Sequence, residues 1–277
     1  TYALYKKLCD IGADAEVIDY LSDETVRRSR VTIHKSLELL RKKSWGINQM
    51  LYKAIVKQSW FDIYTYRYIK MSRKRYKKNS IHKVCNDYDI FMIGSDLVWY
   101  GRTADGDYTY MLDFVGDDKK KVAYAASLGF EEIPKDQIKN YQKWLNKFRF
   151  ITVREDSAKD VLKEIVEVPI EVVADPTMLL AKKEWVSFVK KTNQYGDYVL
   201  VYFLDDQQRL MQLAKRYAHR HKCKVLFISD EHGATEQHVS PANISEFLSL
   251  IYYAKKVFTA SYHGILFSVY FEKQLAY

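Results

Sequence analysis

The segment Val257-Phe258-Thr259-Ala260-Ser261-Tyr262-His263-Gly264-Ile265-Leu266-Phe267-Ser268 carries the sharpest chemical signal in the sequence. Its pattern predicts a strand running into Ser261, a turn holding His263, and an apolar helix from Gly264 onward. The first N–H groups of a helix have no partner within it, and the helix dipole favours an anion there. Gly264 lets such an anion approach the backbone closely. His263 then stands beside a phosphate or carboxylate, with Ser261 and Tyr262 next to it. Imidazole is the side chain best suited to moving a proton near neutral pH. Position alone also fits a histidine that caps its own helix or a satisfied loop residue.

Arg154 is the second candidate. It closes the strand pattern Ile151-Thr152-Val153 and leads into a helix beginning near Ser157. A fixed guanidinium at a strand's end can hold a phosphate or carboxylate through two hydrogen bonds. Taken alone, a salt bridge to Glu155 or Asp156 is the stronger reading. Gly94, Ser95 and Asp96 follow another apolar run and can offer backbone donors or a carboxylate to a ligand, or cap a helix. Ser127, before Leu128 and Gly129, is equally ambiguous. Asp175, before Pro176, reads as a structural turn between domains. Asp205-Asp206 suits a divalent ion or, more commonly, helix capping. His219, His221, His232 and His238 show no metal-ligand spacing, since a His-x-His pair on a helix points to different faces. Walker, GxGxxG and GxSxG patterns are all absent, which removes support for nucleotide hydrolysis and nucleophile-elbow hydrolases.

Such residues need strands that end beside them. Buried-strand runs are expected at Ile90 to Ile93, Lys121 to Ala126, Phe150 to Val153 and Ile170 to Ala174, and again at Tyr198 to Leu204, Lys224 to Ser229 and Lys256 to Ala260. Helical spacing falls between them, at about Pro134 to Phe148, Ser157 to Val166, Lys182 to Lys191, Gln207 to Lys222, Ile244 to Ala254 and Gly264 to Lys273. This alternation predicts an α/β protein with parallel sheets flanked by helices. A break between Asp175 and Asp197 divides it into domains 1–180 and 181–277. Ligands of open parallel sheets bind beyond the carboxyl ends of strands, where the singled-out residues lie. The chain opens on a helix (Tyr2, Tyr5, Leu8) feeding a strand at Ala15 to Tyr20. It stops at Leu275-Ala276-Tyr277 as a further strand begins, so a fragment truncated at both ends is expected.

Composition narrows the class. The 277 residues are 48% hydrophobic with 23 tyrosines, 10 glycines and 4 prolines, which is a packed globular composition. No apolar run reaches the roughly 18 residues of a membrane span. Cys9, Cys85 and Cys223 are widely spaced and form no CxxC pair, which favours a reducing, cytoplasmic setting. The formal charge of +9 concentrates in Arg67 to Lys78. Read as a helix, that stretch has an apolar stripe (Phe61, Tyr64, Tyr68, Met71) beside a cationic one (Arg67, Lys70, Lys74, Lys78). A solvated face is the plain reading, and contact with an anionic membrane surface is the second. No nucleic-acid-binding module accompanies the charge.

Several segments together resemble the polysaccharide pyruvyl transferases. They are FMIGSDLVW at 91–99, KKVAYAASLG at 120–129, ITVREDSAKDVLKE at 151–164, VVADPTMLLAKKEW at 172–185 and SEFLSLIYYAKKVFTASYHGILFSVYFEK at 245–273. The resemblance implies two Rossmann-like domains in a glycosyltransferase-B-like arrangement. It implies transfer of the enolpyruvyl unit of phosphoenolpyruvate to a free or lipid-linked saccharide, giving a cyclic pyruvate ketal and phosphate without a metal or redox cofactor. The setting it implies is bacterial exopolysaccharide or capsule synthesis, in the cytoplasm or at the inner face of its membrane. By similarity His263 is the catalytic acid or base, and Arg154 holds the donor's phosphate or carboxylate. Ser261, Tyr262, Gly264, Gly94, Ser95, Asp96 and Ser127 then line the substrate site. Some branches carry an arginine beside the histidine where this chain has Ser261 and Tyr262, and Lys273 is the candidate for that charge. Leu97 stands where many relatives have glutamine. The family's opening strand and Asn/Gly-containing loop are missing before Tyr2. A nucleotide-sugar glycosyltransferase of similar fold, and a binding-only protein using the basic 67–78 stretch, are the competing readings.

Overall fold

The computed structural model describes residues 1–22, 63–100, 107–203, 208–228, 237–241 and 243–277. The chain divides into two compact units: among the described residues the first holds 1–22, 68–100 and 107–180, and the second holds 63–67 and those from Ala181 onward.

The first unit is built on a parallel sheet in the order β1-β2-β3-β4, from β1 (Ile90–Ile93), β2 (Lys120–Ala126), β3 (Phe150–Val153) and β4 (Ile170–Val172). Helix α1 (Tyr2–Asp10) lies at its start, α2 (Ile138–Leu145) connects β2 to β3, and α3 (Asp156–Lys163) connects β3 to β4. The connecting helices are amphipathic. Tyr141 and Leu145 of α2, and Ala158 and Leu162 of α3, are buried at a spacing of four while the opposite faces stay wet. They close over a core with Phe91, Ile151 and Val153 at its centre.

The second unit holds a parallel sheet in the order β7-β6-β5-β8-β9. Its strands are β5 (Tyr198–Tyr202), β6 (Lys224–Ile228), β7 (Gln237–Val239), β8 (Lys256–Thr259) and β9 (Gln274–Ala276). Its helices are α4 (Lys182–Val186), α5 (Gln208–Arg220), α6 (Ile244–Tyr253) and α7 (Tyr262–Tyr270). On α5 the buried residues Leu210, Ala214 and Ala218 form a stripe against the sheet. The central strand β5 is apolar on both faces, as a strand covered by helices on both sides must be. The expected α/β class with parallel sheets is therefore the observed one.

Three expectations are corrected. Ala15 to Tyr20 forms no regular strand, and the basic stretch 67–78 is no helix. Helical structure at 63–68 stops at Ile69, and the chain then runs extended beside residues 17–20 through bridges Val17–Met71 and Tyr20–Tyr76. A helix would stack Lys70, Lys74 and Lys78 on one stripe. The extended path instead sets Lys70 against Asp14 and Glu16, each at 2.9 Å, and Arg75 against Asp19 at 2.9 Å. Third, β7 is a strand not anticipated from its polar Gln237-His238-Val239 pattern. Most of the helical run expected from Val31, together with Asp205-Asp206 and His232, lies outside the described residues.

Candidate active site

In the second unit the chain leaves β8 at Thr259 and starts α7 two residues after Ala260, with Ser261 as N-cap. His263 is thus not in a turn but is the second residue of the helix, half-buried, with its ring edge-on to Tyr262. The Ser261 side chain makes no capping hydrogen bond and no carboxylate sits in the first turn. The positive end of α7 is therefore neutralised by neither of the usual internal means.

Thr259 sets this geometry, and its role was not read from the sequence. Its side chain is wholly buried; Oγ1 donates to the Tyr202 carbonyl at the end of β5 and accepts the Ser261 N–H at 3.0 Å. One hydroxyl thus ties the carboxyl ends of two neighbouring strands to the start of α7. Gly264 has a different reason from the expected one. A Cβ there would lie 2.5 Å from Thr259 Oγ1 and 3.1 Å from the Tyr202 ring, so the glycine lets helix and strand close up. Below, Phe267 packs edge-to-face on Trp185 at 5.1 Å, which fixes the helix from its buried side. Lys273 follows the far end of α7, about 10 Å or more from His263 at 1.5 Å per residue, and its ammonium lies over Tyr252. It cannot supply the positive charge expected beside the histidine.

In the first unit, the loops after β1, β2 and β3 come together. Gly94 has φ 153° and a Cβ there would run into the Tyr124 carbonyl, so only glycine fits. Ser127 N–H donates to the Ser95 carbonyl at 2.9 Å, which binds the β1 loop to the β2 loop. Ser127 is itself buried, so its observed part is to hold the two loops together. Strand β2 bulges between Ala123 and Ala126, and the buried Thr152 hydroxyl spans the bulge, accepting from Ala125 N–H and donating to the Ala123 carbonyl.

Arg154 begins directly after β3, and its side chain is 6% exposed. Its Nη1 lies 2.9 Å from Asp96 Oδ1 and 3.2 Å from Asp175 Oδ2, and its Nε lies 2.7 Å from Glu155 Oε1. Burial works against the charged guanidinium, but Glu155, Asp96 and Asp175 outweigh it and push its pKa further up. Asp175 is almost wholly buried and also accepts the Thr177 N–H and hydroxyl through Oδ1. The turn expected at Asp175-Pro176 is therefore present, and its carboxylate has a second use as an anchor for Arg154. The expected salt bridge to Glu155 forms, and Asp96 and Asp175 join it. Among the described residues Glu155 Oε2 is buried without a hydrogen-bond partner. Asp96, half-exposed, is the open member of this cluster.

Residues 1–276 match the family model of polysaccharide pyruvyl transferase. The chain belongs to that family. Membership implies a transferase acting in polysaccharide pyruvylation. No curated protein matches the chain. Among solved structures, a putative UDP-N-acetylglucosamine 2-epimerase from Listeria monocytogenes is similar at TM-score 0.46 and 12% identity, over 91% of this chain and 76% of that one. Among the described residues, no helix is long and apolar enough to cross a membrane.

Proposed function

We propose that the chain transfers the enolpyruvyl unit of phosphoenolpyruvate to two hydroxyls of a saccharide, giving a cyclic pyruvate ketal and inorganic phosphate. The observation that carries this reading is His263 in the first turn of α7, directly beyond the carboxyl end of β8, in a chain of this family. The α7 N-terminus holds the donor's carboxylate or phosphate beside Ser261 and Tyr262, and Gly264 lets that turn sit close on β8.

Protonated His263 gives its proton to the methylene carbon, and the C=C electron pair forms the new C–H bond. The central carbon becomes oxocarbenium-like and takes a lone pair from the first sugar hydroxyl. Phosphate then leaves with the C–O electron pair, and the second hydroxyl closes the ring. Of the two hydroxyl protons released, one restores His263 and the other leaves on phosphate. In the first unit Arg154 orients Asp96, while Gly94, Ser95 and Ser127 keep the loop in place. The acceptor is a saccharide, free or lipid-linked, in bacterial surface-polysaccharide synthesis. Arg73, Lys74 and Lys77, all exposed, offer contact with an anionic membrane surface.

The test is phosphate release from phosphoenolpyruvate by the full chain, with and without candidate glycans. Acceptor-dependent release that falls about a hundredfold or more in His263→Ala, with an unchanged melting curve, supports the reading. Absence of release with every acceptor, and of thermal stabilisation by phosphoenolpyruvate, overturns it; stabilisation by nucleotide sugars then favours the glycosyltransferase.

A further inference from the structure

In the first unit, the loops that follow β1 and β2 present an apolar shelf to solvent. Leu97 and Tyr100, from the β1 loop, are 42% and 53% exposed. Both lie against Gly129 of the β2 loop, which has φ 72°. A Cβ there would come within 2.4 Å of Leu97 Cδ2 and 3.0 Å of Tyr100 Cδ2, so the glycine is what lets the two side chains settle onto that loop. Phe130 continues the surface. Its ring centroid is 6.2 Å from that of Tyr100, and the two planes are tilted by only 35°.

The shelf is braced from the buried side. Phe130 packs edge-to-face on the buried Tyr141 at 6.4 Å, and the Tyr141 hydroxyl donates to the Trp99 carbonyl at 2.9 Å. The Trp99 ring N–H donates in turn to the Tyr110 carbonyl at 2.9 Å, and the Tyr100 N–H closes a turn on the Leu97 carbonyl at 3.1 Å. Asp96, next in sequence to Leu97, is 50% exposed and accepts from Arg154 Nη1 at 2.9 Å through Oδ1. A carboxylate held in one place thus stands at the rim of a surface held in one place. Groups fixed in advance lose little freedom when a ligand arrives.

Single exposed apolar side chains are ordinary on a protein surface, but a braced row of three calls for a partner. Three side chains fall far short of the roughly 800 Å² that each partner buries in a stable protein interface. A small ligand suits them better. The face of an aromatic ring is electron-rich and attracts C–H hydrogens. A carboxylate only accepts hydrogen bonds, and takes several at once, so it matches neighbouring hydroxyls. A pyranose offers both, with C–H groups across its ring face and hydroxyls around its edge. The shelf also lies beyond the carboxyl ends of β1 and β2, where parallel sheets receive their ligands, in a chain whose family acts on polysaccharide.

We propose that Leu97, Tyr100 and Phe130 form a platform on which one pyranose unit of the acceptor stacks, with Asp96 accepting from its hydroxyls. Its assignment to the acceptor rests on the transferase reading, whereas its affinity for saccharides does not. The test uses saturation-transfer NMR and titration of the full chain with the methyl β-glycosides of glucose, galactose and N-acetylglucosamine. At least one should bind, with saturation strongest on its ring C–H protons. Tyr100→Ala should weaken that binding about tenfold with an unchanged melting curve, and Tyr100→Trp, which keeps an aromatic face, should retain most of it. Asp96→Asn should weaken it severalfold. In turnover, Tyr100→Ala should raise KM for the glycan severalfold while kcat and the KM for phosphoenolpyruvate stay as they were. If none of the three glycosides binds, or Tyr100→Ala binds as the parent does, the proposal falls. If binding follows Tyr100 but phosphoenolpyruvate is never consumed, the saccharide platform stands and the transferase reading is the one that fails.

Discussion

Single side chains carry the sharpest predictions. Asp175 is buried against Arg154 and also caps the turn that follows it. Replacing it with alanine leaves Arg154 short of one carboxylate and the Thr177 N–H without its acceptor. Asp175→Ala is therefore expected to cost about 3 kcal/mol of stability, read from urea unfolding. Arg154→Lys should lower the melting temperature along with turnover. An ammonium keeps the charge but cannot reach Asp96, Glu155 and Asp175 at once from a planar fork. Turnover by the lysine variant, compared with its melting temperature, checks this. Arg154 was visible in the sequence as a polar residue closing an apolar strand. Its three carboxylates were not, because Asp96 and Asp175 are 58 and 21 residues away and meet it only through the parallel order of β1, β3 and β4.

At the scale of elements, the junction of β8 and α7 depends on contact distances. Gly264→Ala puts a methyl group 2.5 Å from Thr259 Oγ1, which a close-packed interior does not absorb. A loss of about 1–3 kcal/mol is expected, together with reduced turnover, since the added methyl pushes the first turn of α7 and His263 with it. Thr259→Val keeps the shape but removes the hydroxyl that ties Tyr202 to Ser261, and should cost about 1–3 kcal/mol for the Ser261 N–H left without its acceptor. Thermal melts of both variants beside phosphate-release rates provide the check. The element types themselves were legible, because apolar runs and amphipathic spacing locate β1, β3, β5 and α5 within a residue or two. The basic stretch after Arg67 was misread for a physical reason. Helical periodicity was present, but the backbone bridges Val17–Met71 and Tyr20–Tyr76 and the burial of Ile69 and Tyr76 outweighed it, and the bridging partners lie over fifty residues upstream.

Across the whole molecule, stability should respond to acid in a defined direction. Hydrogen bonds from Tyr88 and then Lys70 hold Glu16 below the ordinary carboxylate range, and Lys147, Lys163 and Lys182 do the same for Asp117, Asp160 and Glu272. A carboxylate whose folded pKa is depressed contributes stability that is complete above its unfolded value. That contribution is lost as pH falls through the folded value. Melting temperature should therefore be flat through neutral pH and decline below about pH 4, where unfolded carboxylates take up protons. Tyr88→Phe should shrink that decline, since it removes the first cause of the Glu16 shift. A melting temperature that rises on acidification would contradict the assignment.

The sequence by itself determined the alternation of strands and helices, the parallel sheets that follow from it, and the residues that sit where strands end. Those properties are local, since burial on one face of a helix or both faces of a strand is written into the spacing of nearby side chains. Only the tertiary structure decided what those residues touch. It enclosed Arg154 in carboxylates, made Thr259 the tie at the start of α7, put Lys273 at the far end of that helix from His263, and turned Gly264 from an anion's doorway into a packing requirement. It also brought Leu97, Tyr100 and Phe130 together over Gly129. Each of these depends on contacts between segments far apart in the chain, and such contacts are set by sheet order and close packing rather than by any pattern within one segment.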